Sequence, residues 1–268
     1  MSPSFWTRLW RRQLDWLQIA VTSYCNAYCS YCPHTVYRSS WQNQHLSLAT
    51  FKRLVPDLQQ FKLVYLQGWG EPLLHPDFFT FVSLAKEAGC QVGTTTNATL
   101  INETTANQIV ESNLDVLALS LAGIGETNDV WRPGTSYRQV LEAIDYLREC
   151  RRRLGKTTPR VHIAYMLLRS GLPDLAKIPA ALQGRGISQV VLSTLDLVAA
   201  PELAGESLAD ISGPELREIM GRFENLAAAG ARYNLNIYYP DLTAHRKVCS
   251  ENVLRAAVVS TLGDVSPC

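Results

Sequence analysis

With 268 residues, 47% of them hydrophobic and 18% charged, the chain has enough apolar material for the core of one large domain plus an appendage. A formal charge of +1 excludes the broad basic footprint of a nucleic-acid binder, and no apolar run reaches the ~20 residues that a membrane span requires. Seven cysteines, an odd number without an export signal, argue for reduced thiols acting as metal ligands in the cytoplasm rather than for a disulfide framework.

The opening "MSPSFWTRLWRRQLDW" sets Arg8, Arg11 and Arg12 among Trp6, Trp10 and Trp16. It lacks the hydrophobic stretch and small-residue cleavage site of a secretory signal, so residues 1–13 read as a basic, aromatic segment docked on the domain. "WLQIAVT" (16–22) is the first predicted strand, and "YCNAYCSYCPH" (24–34) follows it with Cys25, Cys29 and Cys32. A helix is predicted from Phe51, Leu54, Val55 and Leu58 behind Ser47 as N-cap, with Pro56 expected to kink or shorten it. The second strand, "KLVYLQ" (62–67), runs into "QGWGEPLLHP", and a helix starts at Pro76 and Asp77 and stops at Gly89. Then come a strand "CQVGTTT" (90–96), a helix "INETTANQIVES", a strand "DVLALSL" (115–121), a helix "SYRQVLEAIDYLREC", and strands "RVHIAYMLL" (160–168) and "QVVLSTL" (189–195). Beyond residue 200 a loop precedes a helix over 214–229 and one more strand in "RYNLNIYYP".

Six strand-then-helix units with short connections predict right-handed crossovers and a parallel sheet, either open or curled into a barrel. Ligands of such sheets bind at the carboxyl ends of the strands. The cysteine loop, Gly70 and Glu71, Asn97 and Ser120 fall at four successive strand ends and are therefore expected to converge. Taken singly, Glu71, Asn97 and Ser120 have ordinary loop or cap explanations, as do Arg38, His45 and Arg169. Cys90 and Cys150, isolated among apolar residues, read as packed free thiols. For the cysteine triplet, structural zinc commonly takes four ligands in two close pairs; no second pair follows, although His34 would complete a set. A four-iron cluster held by three thiolates leaves one iron open to a small ligand. A metal-stabilised binding protein and an enzyme with an open iron both remain at this point.

The spacing of Cys25, Cys29 and Cys32, with Tyr31 before the last of them, resembles the signature of the radical S-adenosylmethionine superfamily. "GWGEP" (68–72), "TTNATL" (95–100) and "SLAG…WRPG" (120–134) resemble its following motifs in the same order. The resemblance covers residues 14–200 and implies an α/β fold, a partial (β/α)6 TIM-like barrel with a short C-terminal extension over 201–268. It implies a 4Fe-4S cluster on Cys25, Cys29 and Cys32, and S-adenosylmethionine cleaved reductively to a 5′-deoxyadenosyl radical that takes hydrogen from a substrate. Gly70 and Glu71 would meet the methionine amine, Ser120 and Arg132 its carboxylate or the ribose, Asn97 the ribose side, and Tyr31 would pack near the adenine. A reductant such as flavodoxin or ferredoxin is implied, with a peptide or protein as substrate, or a small molecule or cofactor precursor instead; an inactive scaffold on the same barrel is the rival.

The tail "CSENVLRAAVVSTLGDVSPC" has thirteen residues between Cys249 and Gly263 and four more before Cys268. It resembles the opening of the SPASM or twitch extension, which binds an auxiliary iron–sulfur cluster. The later cysteines of that module are absent, so the expectation is a truncated chain whose second cluster forms only when the chain is extended.

Overall fold

In a computed structural model of the chain, residues 14–243 and 254–267 are described. The basic segment 1–13, Cys249 and Cys268 lie outside them. The predicted alternation is present: β1 (Leu14–Ile19), β2 (Phe61–Leu66), β3 (Gln91–Thr96), β4 (Val116–Leu121), β5 (Arg160–Leu167) and β6 (Ile187–Thr194) lie side by side in chain order, each parallel to the next. Between them run α1 (Pro33–Val36), α2 (Leu48–Leu58), α3 (Phe78–Glu87), α4 (Glu103–Glu111), α5 (Glu126–Trp131), α6 (Tyr137–Leu154) and α7 (Ile178–Leu182). After α8 (Gly213–Ala231), β7 (Asn236–Tyr238) joins β6 in parallel. At the opposite side β8 (Ala256–Val259) pairs in parallel with β1, and β9 (Val265–Ser266) turns back antiparallel on β8. The strand order 7-6-5-4-3-2-1-8-9 makes an open sheet, the partial barrel expected.

Side-chain alternation fixes which face is which. Leu17, Ile19 and Val21 are buried under the helices, whereas Trp16, Gln18 and Ala20 on the opposite face line open cavities. The helical layer is closed by aromatic packing, with Phe51 of α2 stacked on Phe81 of α3 at 4.2 Å between ring centres. Ser47 caps α2 as expected, its side chain accepting from the Thr50 N–H at 3.0 Å. Pro56 sits in the last turn of that helix, which stops at Leu58. Cys90 and Cys150 are buried free thiols, donating to the Leu58 carbonyl and to Asn107.

Several short elements were not anticipated, α1, α5, α7, β8 and β9 among them. The six-residue α5 interrupts the segment after β4; it starts behind Gly125, whose φ of +63° a side chain would resist. In the tail, "AAVV" is a sheet strand, held by in-register pairing of Trp16 to Ala256 and Gln18 to Val258.

Candidate functional site

The loops at the carboxyl ends of β1 to β4 meet around a cavity of about 610 Å³. Cys25, Cys29, Tyr31 and Cys32 line it from the loop after β1, Gly70 and Glu71 from the loop after β2, Asn97 from the end of β3, Ser120 from β4, and Arg132 from beyond α5. The structure thus brings all nine described candidates together; β5 and β6 close the far wall with Met166, Val191 and Ser193.

The cysteine loop is held from three sides. The Tyr28 N–H donates to the Pro133 carbonyl at 2.7 Å and the Ser30 N–H to the Trp131 carbonyl at 3.0 Å. Gly134 permits this contact: its φ is +85°, and a Cβ there would stand 3.0 Å from the Asn26 carbonyl. The Asn97 side-chain amide donates to Asn26 Oδ1 at 2.8 Å, Asn26 donates to Thr99 Oγ1, and Thr99 donates back to Asn97 Oδ1. On the third side the Glu71 N–H donates to the Tyr24 carbonyl at 2.7 Å. The two glycines of "GWG" make that approach possible, because a Cβ on Gly68 would sit 2.7 Å from the Ala20 Cβ and one on Gly70 2.5 Å from the carbonyl oxygens of Thr22 and Tyr24.

Cys32 closes the loop as N-cap of α1, where Pro33 occupies the first turn. Burial pushes the Cys25 thiol up to about 11, helped by Glu71 and the other two cysteines, and it raises Cys32 as well. Thiols in such surroundings are poor free nucleophiles and ionise when a metal cation displaces their protons. Among the described residues no three His, Cys, Asp or Glu side chains converge on one point, as a single zinc ion requires. Thiolates sharing a four-iron cluster bind different irons and need no such convergence. His34 does not line the cavity; its ring stands edge-on to Trp41 at 5.2 Å.

Glu71 is 2% exposed. Its Oε1 accepts from Leu73 N–H at 3.1 Å and from Thr96 Oγ1 at 2.7 Å, and its Oε2 accepts from Asn97 N–H at 2.7 Å. Burial nevertheless holds the carboxyl above its usual range, and Oε2 keeps one acceptor position. Arg132 is equally buried. Its Nη1 donates to the Ser120 carbonyl, while its Nε is buried without a partner. Burial pulls its pKa down, but Tyr31, Cys29 and Glu71 beside it outweigh that, so the guanidinium stays charged. A buried carboxylate with acceptor capacity and a buried cation with an orphaned donor, both facing one cavity, match the ammonium and carboxylate of an amino acid. The residues present therefore fit the cofactor that the motifs imply.

Asn26, Thr96, Thr99 and the turn 131–134 were not picked out from the sequence as supports of the loop. The Asn between the first two cysteines and the Gly at 134 were the available signals.

The family model for the radical SAM superfamily matches residues 19–168. The chain belongs to the radical SAM superfamily. Its cofactors are accordingly a 4Fe-4S cluster and S-adenosylmethionine. It is 25% identical over 261 residues to the tungsten-containing aldehyde ferredoxin oxidoreductase cofactor-modifying protein of Pyrococcus furiosus, covering 95% of this chain and 71% of that one. It is 31% identical over 178 residues to the pre-heme d1 synthase of Dinoroseobacter shibae, covering 65% of this chain and 42% of that one. Among solved structures, Streptococcus suis SuiB bound to S-adenosylmethionine superposes with a TM-score of 0.74 at 16% identity, over 98% of this chain and 63% of SuiB. SuiB bound to its precursor peptide SuiA gives 0.70 at 15% identity, over 96% and 60%. The radical SAM chain thus spans less than two thirds of SuiB, and no helix among its described residues is long and apolar enough to cross a membrane.

Proposed function

We propose that this radical SAM enzyme abstracts hydrogen from a peptide or protein being matured, using the cavity at the ends of β1 to β4. The observation that carries the reading is the convergence of the three-cysteine loop, buried Glu71 and buried Arg132 on one cavity. When bound, the cluster and S-adenosylmethionine supply a 5′-deoxyadenosyl radical by reductive cleavage of the sulfonium bond. Cys25, Cys29 and Cys32 hold the cluster. Glu71, with the close backbone at Gly70, would receive the methionine ammonium; Arg132 would direct its Nε–H to the carboxylate, and Ser120 would border the ribose. Asn97 acts on the ribose side through the geometry it shares with Asn26 and Thr99. Tyr31, packed against the buried cluster of Leu168, Leu195 and Leu203, would form the adenine side and exclude water.

In this reading residues 14–200 carry the chemistry and 201–268 form a SPASM- or twitch-like extension, whose Cys249 and Cys268 would contribute to an auxiliary cluster. A cytoplasmic flavodoxin or ferredoxin supplies the electron. The structural likeness to a protein solved with its precursor peptide supports a peptide substrate. The relative described as cofactor-modifying, aligned over nearly the whole chain, supports a cofactor precursor as the second reading.

The test is anaerobic reconstitution with iron and sulfide, reduction, and chromatography of the nucleoside products. The wild type is expected to release 5′-deoxyadenosine and methionine without its substrate, and Cys29→Ala to lose both cluster colour and cleavage. Cleavage by iron-free wild-type protein would overturn the reading.

A further inference from the structure

A second cavity of about 760 Å³ adjoins the first on the same face of the sheet. The two share a wall made by Trp16 and Gln18 of β1 and by Gln67, Gly68 and Trp69 after β2. Its floor is the inner face of β8, Ala256 and Val258, and its roof is the segment 40–42 with Trp41. That roof is anchored: the Trp41 Nε1–H donates to the Ser23 carbonyl at 3.1 Å, Ser23 Oγ donates to the Gln42 carbonyl at 3.0 Å, and the Gln44 side chain reaches the Thr261 carbonyl of the β8–β9 turn. With its only polar atom engaged, Trp41 offers the cavity ring faces alone.

The lining has a single chemical character. Three indoles, Trp16, Trp41 and Trp69, stand around it, and no Asp, Glu, Lys, Arg or His lines it among the described residues. Polar contacts come from amides and hydroxyls; the side chains of Gln18 and Gln67, on the shared wall, make no hydrogen bond among the described residues. The volume is that of a site for a ligand of several tens of atoms. Polyphosphates and polycarboxylates would find no cation among the described lining residues to replace their water, whereas aromatic or aliphatic side chains gain apolar burial, and amide groups of a backbone find complementary donors and acceptors.

We infer that this second cavity is a substrate chamber for an uncharged peptide segment bearing aromatic or aliphatic side chains, which it presents across Gln18 and Gln67 to the radical site. The inference rests on the proposed peptide reading and deepens it. It assigns selectivity to Trp41 and to β8, both outside the family motifs.

The test is calorimetric titration of the reconstituted, S-adenosylmethionine-loaded protein with three probes: N-acetyl-Phe-Phe-amide, N-acetyl-Glu-Glu-amide and GTP. Uncoupled 5′-deoxyadenosine release is measured on the same preparation. The neutral aromatic probe is expected to bind saturably, at one site, and neither charged probe to compete with it. Val258→Glu, which places a carboxylate on the floor of the second cavity only, is expected to weaken the neutral probe at least tenfold. Trp41→Leu is expected to do the same and carries the test if Val258→Glu does not fold by circular dichroism. Absence of saturable neutral-probe binding by protein that still cleaves S-adenosylmethionine overturns the inference alone, as does binding unmoved by both variants or displaced by GTP. Variant-sensitive probe binding by loaded protein that releases no 5′-deoxyadenosine supports the chamber and overturns the functional reading alone.

Discussion

At the scale of single residues, Glu71 has two tasks. The sequence assigns it to a cofactor amine; the structure adds three donors that only its carboxylate satisfies, Leu73 N–H, Thr96 O–H and Asn97 N–H. An unsatisfied buried group costs about 1–3 kcal/mol. Glu71→Ala is therefore expected to lower unfolding stability by about 3–5 kcal/mol, read from urea midpoints, and to lose cluster iron as the cysteine loop comes free. A change below about 1 kcal/mol would leave Glu71 as a ligand group only. His75 contributes to the pH dependence, beside His34 and His162, whose pKa values burial also lowers. Its Nδ1 accepts from the Asp77 N–H at 3.0 Å, so Nε2 bears the proton and donates to the Leu46 carbonyl at 2.9 Å, the neutral tautomer. Burial is the main cause that lowers its pKa, with nearby His45 adding to it. The folded state then binds fewer protons than the unfolded one, so His75 supports the fold above the ordinary value of 6.5 and this support is lost as pH falls through its lowered pKa. Urea unfolding at several pH values is expected to show stability falling on acidification below 6.5, less steeply in His75→Gln. The cysteines, Glu71, Ser120 and Arg132 were legible because motif spacing marks them. Asn26, Thr99 and His75 were not, because a hydrogen-bond partner far along the chain leaves no periodic trace.

At the scale of elements, the site depends on how closely strand ends approach. A Cβ on Gly70 would meet two backbone oxygens at 2.5 Å, so neither neighbour can rotate away. Gly70→Ala is expected to separate the ends of β1 and β2, break the Glu71 N–H bond to Tyr24, and cost about 2 kcal/mol or more. Gly221→Ala is the control: it lies within α8 with open space around it and should stabilise by about 0.5–1 kcal/mol. Thermal melts and retained iron distinguish the two, and equal behaviour would show that the close approach is dispensable. The long helices and the six main strands were readable from periodicity and caps. α5 was missed because six residues make less than two turns, too few for a repeat to register. β8 was missed because "AAVV" is four residues of unbroken apolar sequence, too short to show a strand's alternation.

At the scale of the whole molecule, ligand number sets the metal content. In the proposed reading three thiolates and S-adenosylmethionine complete one cluster, while Cys249 and Cys268 would supply only two ligands toward a second. This chain is expected to hold close to four irons, unchanged in Cys249→Ala/Cys268→Ala, by iron and sulfide analysis. Close to eight in the present chain would reveal ligands elsewhere. Alternating strands and helices fix a parallel sheet but not its closure, and the open edges at β7 and β9 follow from strand lengths and pairings that no local pattern encodes. The pairing of β8 with β1 also orders events in time. The ion pair and hydrogen bond from Arg255 to Asp15 span 240 residues, so one edge of the first strand stays unpaired until residues 256–259 have been synthesised. Contacts of such sequence separation are slow to form, and a strand left waiting exposes unpaired amides to neighbouring chains. The wall that carries both cavities is therefore completed only once β8 has been made, and a nascent chain that still lacks β8 has no floor for the second cavity.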